Sequence, residues 1–163
     1  MNLIRFIKAF FVLLISLYFF FVLFNNIFFW EANFTYILNI IGMDSISSFA
    51  SSQSWRSIKS ELVVKIFFSI IIFFETIIFL FTLYGGIQML KHLSKSSAIY
   101  NRKKKFAILG LTLSIFQWFF IFITIGGEWF LSYLSTNFNS KSASESLLIY
   151  MFLILIFITQ KDE

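Results

Sequence analysis

Apolar positions in this chain gather into four long runs separated by polar breaks, at residues 3–24, 62–90, 106–127 and 142–159. At about 1.5 Å per residue, some twenty residues of helix cover roughly 30 Å, the thickness of the hydrocarbon core of a bilayer. The pattern predicts an all-α fold, a four-helix transmembrane bundle that forms one membrane domain over residues 1–163. The third run is the clearest. Arg102, Lys103, Lys104 and Lys105 stop abruptly at Phe106, the apolar stretch continues to Ile125, and Gly126, Gly127, Glu128 and Trp129 close it. The fourth is the weakest, with a core of only 147–158, and is expected to lean on Ala143, on a snorkelling Lys161 or on its neighbours.

Between the first two runs, residues 25–61 are long enough to carry structure. Phe34, Ile37, Leu38 and Ile41 follow the i, i+3, i+4, i+7 rule, with Asn33 placed as an N-cap and Gly42 as a stop. This predicts a short amphipathic helix in the first external loop, lying on the membrane or on the bundle. The serine-rich stretch Ser45 to Ser60 reads as a polar return loop, and 131–146 as a second external loop. Trp30, Trp55 and Trp129 stand at run borders, where an indole keeps its ring in lipid and its N–H in water.

Composition supports the membrane reading. With 59% hydrophobic and 22% aromatic residues and a mean hydropathy of +0.86, the chain has too little polar surface to coat a water-soluble globule. The 26 Phe and the absence of Pro read as coding bias toward AT-rich codons, so single Phe residues carry little information. No cysteine is present, which removes disulfides, thiolate metal sites and thiol nucleophiles. The first run has the basic start of a signal peptide in Arg5 and Lys8. It is nevertheless expected to stay as an anchor, because the chain continues as NNIFFW without a small-x-small cleavage site.

The formal charge of +5 does not point to nucleic acid, because the cations flank apolar runs. Arg5, Lys8, Lys91, Lys95, Arg102, Lys103, Lys104, Lys105 and Lys161 lie on the side of the termini. Only Arg56, Lys59, Lys65 and Lys141 lie on the other. Lys and Arg accumulate on the cytoplasmic side, so both termini are expected there. The basic loop of Lys91, Lys95, Arg102, Lys103, Lys104 and Lys105 reads as the topological determinant and as a surface for anionic lipid head groups.

Candidate chemistry is sparse. Glu75 stands near the middle of the second run, where an ionised carboxylate costs about 2.5 to 3.5 kcal/mol on insertion scales. Counting inward along antiparallel runs two and three predicts a Glu75–Gln117 hydrogen bond joined by Trp118, and a Lys65–Glu128 ion pair nearer the outside. The first reads either as a clasp that pairs helices or as a proton or cation relay. His92 is the only histidine, so one chain makes no multi-histidine metal or bis-histidine haem site. No nucleophile–base pair and no phosphate-cradling glycine loop can be assembled, and neither an enzyme nor a cofactor is expected. Asn33-Phe34-Thr35 matches the glycosylation acceptor, a frequent accidental match.

Further residues carry a resemblance. NN at 25–26, NF at 33–34, MD at 43–44, WR at 55–56, the mid-span Glu75, NR at 101–102, GLTL at 110–113 and IGGEWF at 125–130 run through nearly the whole chain. Together they resemble a family of bacterial predicted small integral membrane proteins of unknown function, with IGGEWF the most specific element. The chain departs from that family in its Phe/Ile bias, its lack of proline in the first external loop and the approach NFNSKSASE to the fourth run. The resemblance implies a four-helix domain in a bacterial inner membrane and brings no reaction with it. The expected role is a non-enzymatic interaction or accessory subunit with a membrane-protein partner or a second copy of itself. A small oligomeric transporter or channel component built on Glu75 is the alternative.

Overall fold

A computed structural model describes residues 3–46 and 48–162; Met1, Asn2, Glu163 and Ser47, the last within the expected return loop, lie outside the described residues. The fold is all-α, with no strand among those residues. Four helical stretches are long and apolar enough to cross a membrane by length and composition: Leu3–Phe28, Glu61–Lys91, Ser97–Trp129 and Ser140–Thr159. Each covers one of the four apolar runs. In chain order the elements are α1 Leu3–Phe28, α2 Trp30–Gly42, a 3₁₀ stretch Ser48–Arg56, α3 Glu61–Lys91 and α4 Ser97–Lys103. There follow α5 Lys105–Phe116, a π-helix Gln117–Trp129, a 3₁₀ turn Ser132–Leu134 and α6 Ser140–Thr159.

The chain divides into two compact units, each made of separate stretches: residues 3–23, 74–115 and 149–162 in one, and 24–73 and 116–148 in the other. In the first, small residues set the helix spacing, as they do where lipid offers no hydrophobic drive between helices. A Cβ at Gly85 would overlap the Ala107 backbone, one at Gly86 would come within 2.6 Å of Leu13, and one at Gly110 within 2.7 Å of Thr82. Buried hydroxyls of this unit donate within their own helix, Thr82, which meets Gly110, to Ile78 O at 2.7 Å and Ser114 to Leu111 O at 2.8 Å. That is the usual satisfaction of a hydroxyl at a helix contact.

The second unit is built on α2. Its Phe34, Ile37 and Ile41 are buried together with Val64, Phe68, Ile71, Ile121 and Phe130. The apolar stripe read from the sequence is therefore packed on helices rather than laid on a membrane surface. The expected cap at Asn33 is corrected. Only Phe29 separates α1 from α2, so Asn33 sits inside the helix and its amide donates to the carbonyls of Asn25 and Phe29 at 3.0 and 3.2 Å. At the other end Gly42 is the last helical residue, and the left-handed position falls on Met43, φ 54°.

The expected loops hold more structure than foreseen. Residues 48–56 and 132–134 form 3₁₀ turns, α4 occupies much of the basic segment, and α6 begins at Ser140. The third run changes its hydrogen-bonding register at Gln117 and finishes as thirteen residues of π-helix, a form ordinarily seen as single turns. It ends where Phe130 N donates to Ile125 O at 3.0 Å. There the helix closely approaches the start of α6 at its glycine pair: a Cβ at Gly126 would lie 2.7 Å from Ser140 Oγ.

Candidate functional site

Every helix ends with carbonyls that have no partner in the helix, and its C-terminus carries partial negative charge. In the first unit two of these ends are closed by cations from α1. Arg5, one turn into the helix, donates through one guanidinium nitrogen to Leu93 O at 3.1 Å and Lys95 O at 2.7 Å, both just past the end of α3. Lys8, one turn further, donates to Gln160 O at 2.9 Å, just past the end of α6. Lys104, between α4 and α5, donates to the same carbonyl at 2.7 Å.

Asp162 completes the cluster. Its carboxylate pairs with Lys8 at 3.0 Å and with Lys104, and both lysines and the aspartate side chain are no more than 3% exposed. Asn101 fixes the chain beneath it, donating to Asp162 O at 3.1 Å and accepting from Asp162 N at 3.2 Å. Tyr100, fully buried, donates to Arg5 O at 2.8 Å. Its ring lies 4.9 Å beneath the Arg5 guanidinium and 5.4 Å from the Lys104 ammonium. A buried ion pair is tolerated when further hydrogen bonds complete it, and each of these charges has them.

Burial alone would push the Asp162 carboxyl up, but the hydrogen bonds and positive charges of Lys104 and Lys8 outweigh it. The net result lies below the ordinary aspartate value. The cluster thus holds two ammoniums on one ionised carboxylate and one carbonyl, an arrangement that fastens three chain segments together.

This cluster was not foreseen as a site. In the sequence Arg5, Lys8 and Lys104 read only as topological charges, and Asp162 carries no expectation. The signal was an acid just past the last span on the side that carries the cations. One expectation is corrected directly: Lys104 is not a solvated member of the basic loop but is 2% exposed, whereas Lys91, Lys95, Arg102 and Lys105 are exposed.

The Lys65–Glu128 ion pair does not form. Lys65 pairs with Glu61 at 3.7 Å, one helical turn earlier, and Glu128 pairs with Lys141 at 2.7 Å. A local i,i+4 partner needs no chain closure, and the first turn of α6 brings the Lys141 stem alongside Gly127. Glu75 is 1% exposed in the first unit, within electrostatic reach of Tyr18. Gln117, buried, and Trp118 open the π-helix of the second. Trp30 packs on Phe68 with ring centroids 4.6 Å apart, while Trp55 and Trp129 stay exposed and meet edge to face at 6.1 Å.

Among the described residues, no three His, Cys, Asp or Glu side chains come together as a metal-holding group. No curated protein and no solved structure matches the chain. The family described as a predicted small integral membrane protein, DUF2165, matches residues 4–161, and with four helices of spanning length the chain belongs to that family of multi-pass integral membrane proteins.

Proposed function

We propose that the protein is a non-enzymatic, multi-pass inner-membrane protein of a bacterial cell, with both termini in the cytoplasm, that acts by interaction as an accessory subunit. The observation that supports this reading is the use made of the buried charges at the terminal end. Arg5 closes the end of α3, Lys8 and Lys104 close the end of α6, and Asp162 holds the two lysines together. These groups build a fixed frame, and their donors are directed at the chain's own carbonyls and carboxylate. A frame of that kind suits a protein that presents surfaces to a partner chain or to a second copy. The same contacts bring the N-terminal helix, the 91–105 segment and the C-terminal tail to one side, in keeping with the side that carries nine of the thirteen cations.

Extraction in a mild detergent is expected to co-purify a partner in stoichiometric amount or to yield a homo-oligomer. A monomer under every extraction condition overturns the accessory role. Orientation is tested apart from it. The chain has no cysteine, so single cysteines at Ser94 and Ser45 can be labelled in intact cells with a membrane-impermeant maleimide, and only the second should react.

A second reading, a small oligomeric transporter or channel component, is favoured by one observation, the burial of Glu75 beside Tyr18. An intramembrane acid is a functional candidate by default. Proteoliposome flux that disappears in Glu75→Gln, in a protein that still assembles, would establish this reading over the first.

A further inference from the structure

In the second unit, α3 begins beside the end of the π-helix, and between them lies an open cavity of about 390 Å³ with apolar walls. Ile58, Val63, Phe67, Ile125, Trp129 and Phe130 line it. Its size falls within the roughly 300–1,000 Å³ of small-molecule sites. A second cavity of about 240 Å³, with largely polar walls, is lined by Gln53, Arg56, Leu131 and Tyr133 among others. The two share a partition. Trp129 and Phe130 face the first, Leu131 faces the second, and the Arg56 guanidinium lies across Trp129, 5.1 Å from its ring and 3.3 Å from its carbonyl oxygen.

Arg56 is the distinctive member. The other cations of this unit each have a carboxylate: Lys59 has Asp44, Lys65 has Glu61 and Lys141 has Glu128. Among the described residues no carboxylate pairs with Arg56, and its Nε is buried without a hydrogen-bond partner. The guanidinium lies beside the edge-to-face pair of indoles Trp55 and Trp129, 5.5 and 5.1 Å from their centroids. Beyond its bond to the Trp129 carbonyl the guanidinium keeps further N–H donors for an anion, and its planar fork matches phosphate oxygens.

We infer that this pair of cavities is a binding site for a phospholipid of the surrounding bilayer, with one acyl chain in the apolar cavity and the phosphate on Arg56. An apolar slot beside a polar one, divided by a cation with unused donors, matches an amphiphile with an anionic head. The exposed Trp55 and Trp129 are the ring types enriched at head-group depth. The inference stands independently of the accessory-subunit reading, because the site can be filled in a monomer.

The test uses the full chain purified in a mild detergent, with bound phospholipid measured by phosphorus content and by native mass spectrometry. Wild type is expected to retain about one phospholipid per chain through extensive washing. It should also prefer added phosphatidylglycerol to diacylglycerol, which has the same chains and no phosphate. Arg56→Gln is expected to weaken retention about fivefold or more, the effect of about one cation at a phosphate. Val63→Trp, which narrows the apolar cavity and leaves Arg56 in place, should do the same. Lys59→Gln, exposed and lining neither cavity, should retain lipid as wild type does. If Arg56→Gln fails to fold, the head-group comparison on wild type and the Val63→Trp result decide. Equal retention of diacylglycerol, unchanged retention in Val63→Trp, or a protein in place of lipid at this site would overturn the inference.

Discussion

Lys8 and Asp162 lie 154 residues apart in the chain and meet as a buried ion pair at 3.0 Å. Their encounter joins the second turn of the first helix to the residues beyond the last, and Lys104 joins the third span to the same carboxylate. Removing Asp162 strands two ammoniums in a space that one carboxylate made tolerable. Losing one partner of a buried pair costs about 3–5 kcal/mol, while replacing the whole set with apolar groups of similar volume is often neutral or better. Asp162→Ala is expected to lower the thermal midpoint in detergent strongly. The triple variant Lys8→Met, Lys104→Met, Asp162→Leu should recover most of that loss, and a triple variant as unstable as the single one would show that the lysines act elsewhere.

Protonation should imitate that mutation. The folded Asp162 carboxyl lies below its ordinary value because Lys104 and Lys8 together outweigh the effect of burial, and the unfolded value is about 3.9. A group depressed on folding contributes stability that is fully present above the unfolded value and is lost as pH falls through the folded one. The stability difference between wild type and Asp162→Asn should therefore be constant from about pH 5 upward and shrink steadily below about pH 4. A difference that stays constant down to pH 3 would mean that the carboxylate is not stabilised by its partners.

Close helix approach in the first unit rests on glycine. At position 85 a Cβ would overlap the Ala107 backbone, and a helix backbone cannot step aside as a side chain can. Gly85→Ala would ordinarily favour the helix by about 0.5–1 kcal/mol. Here it should destabilise by about 1–3 kcal/mol, the usual cost of overpacking. The pair Gly85→Ala and Ala107→Gly should not restore stability, because the clash is with main chain. Thermal denaturation of the three proteins in one detergent checks the sign.

What the sequence made legible followed from local rules. The four spans and the α2 stripe of Phe34, Ile37 and Ile41 depend on residues close in the chain or on composition. The misread features depend on encounters across it. Asn33 looked like a cap because a break was expected before it, yet only Phe29 separates α1 from α2 and the helix start lies at Trp30, three residues before Asn33. Lys65 and Glu128 matched in depth, but depth does not fix which face of a helix a side chain occupies, and Glu61 and Lys141 were nearer. Lys104 shared its charge with three neighbours, and only the folded path separates it from Lys103 and Lys105. The π-helical register had no sequence signal beyond Gly126-Gly127 near its end.

That π-helix is joined to the start of α6 by the Glu128–Lys141 ion pair and, more deeply buried, by the Ser140 hydroxyl. Ser140 Oγ donates to Phe122 O at 3.0 Å, so its own proton is committed. It then accepts from Ser132 Oγ at 2.8 Å, while Ser132 Oγ accepts from Ser140 N at 3.3 Å. Ser140→Ala leaves the Phe122 carbonyl and the Ser132 hydroxyl short of a partner and should cost about 1–3 kcal/mol. Gly126→Ala is also expected to destabilise, because its new methyl would lie 2.7 Å from that same Oγ; the Ser140 Cβ, at 3.6 Å, is an ordinary neighbour. The two losses therefore cannot add. Once the hydroxyl is gone, the methyl at 126 fits the space it vacated, so the double variant should be more stable than the sum of the singles by about 1 kcal/mol. A double-mutant cycle on thermal or denaturant unfolding measures that coupling, and strict additivity would mean that Ser140 does not set the spacing at Gly126.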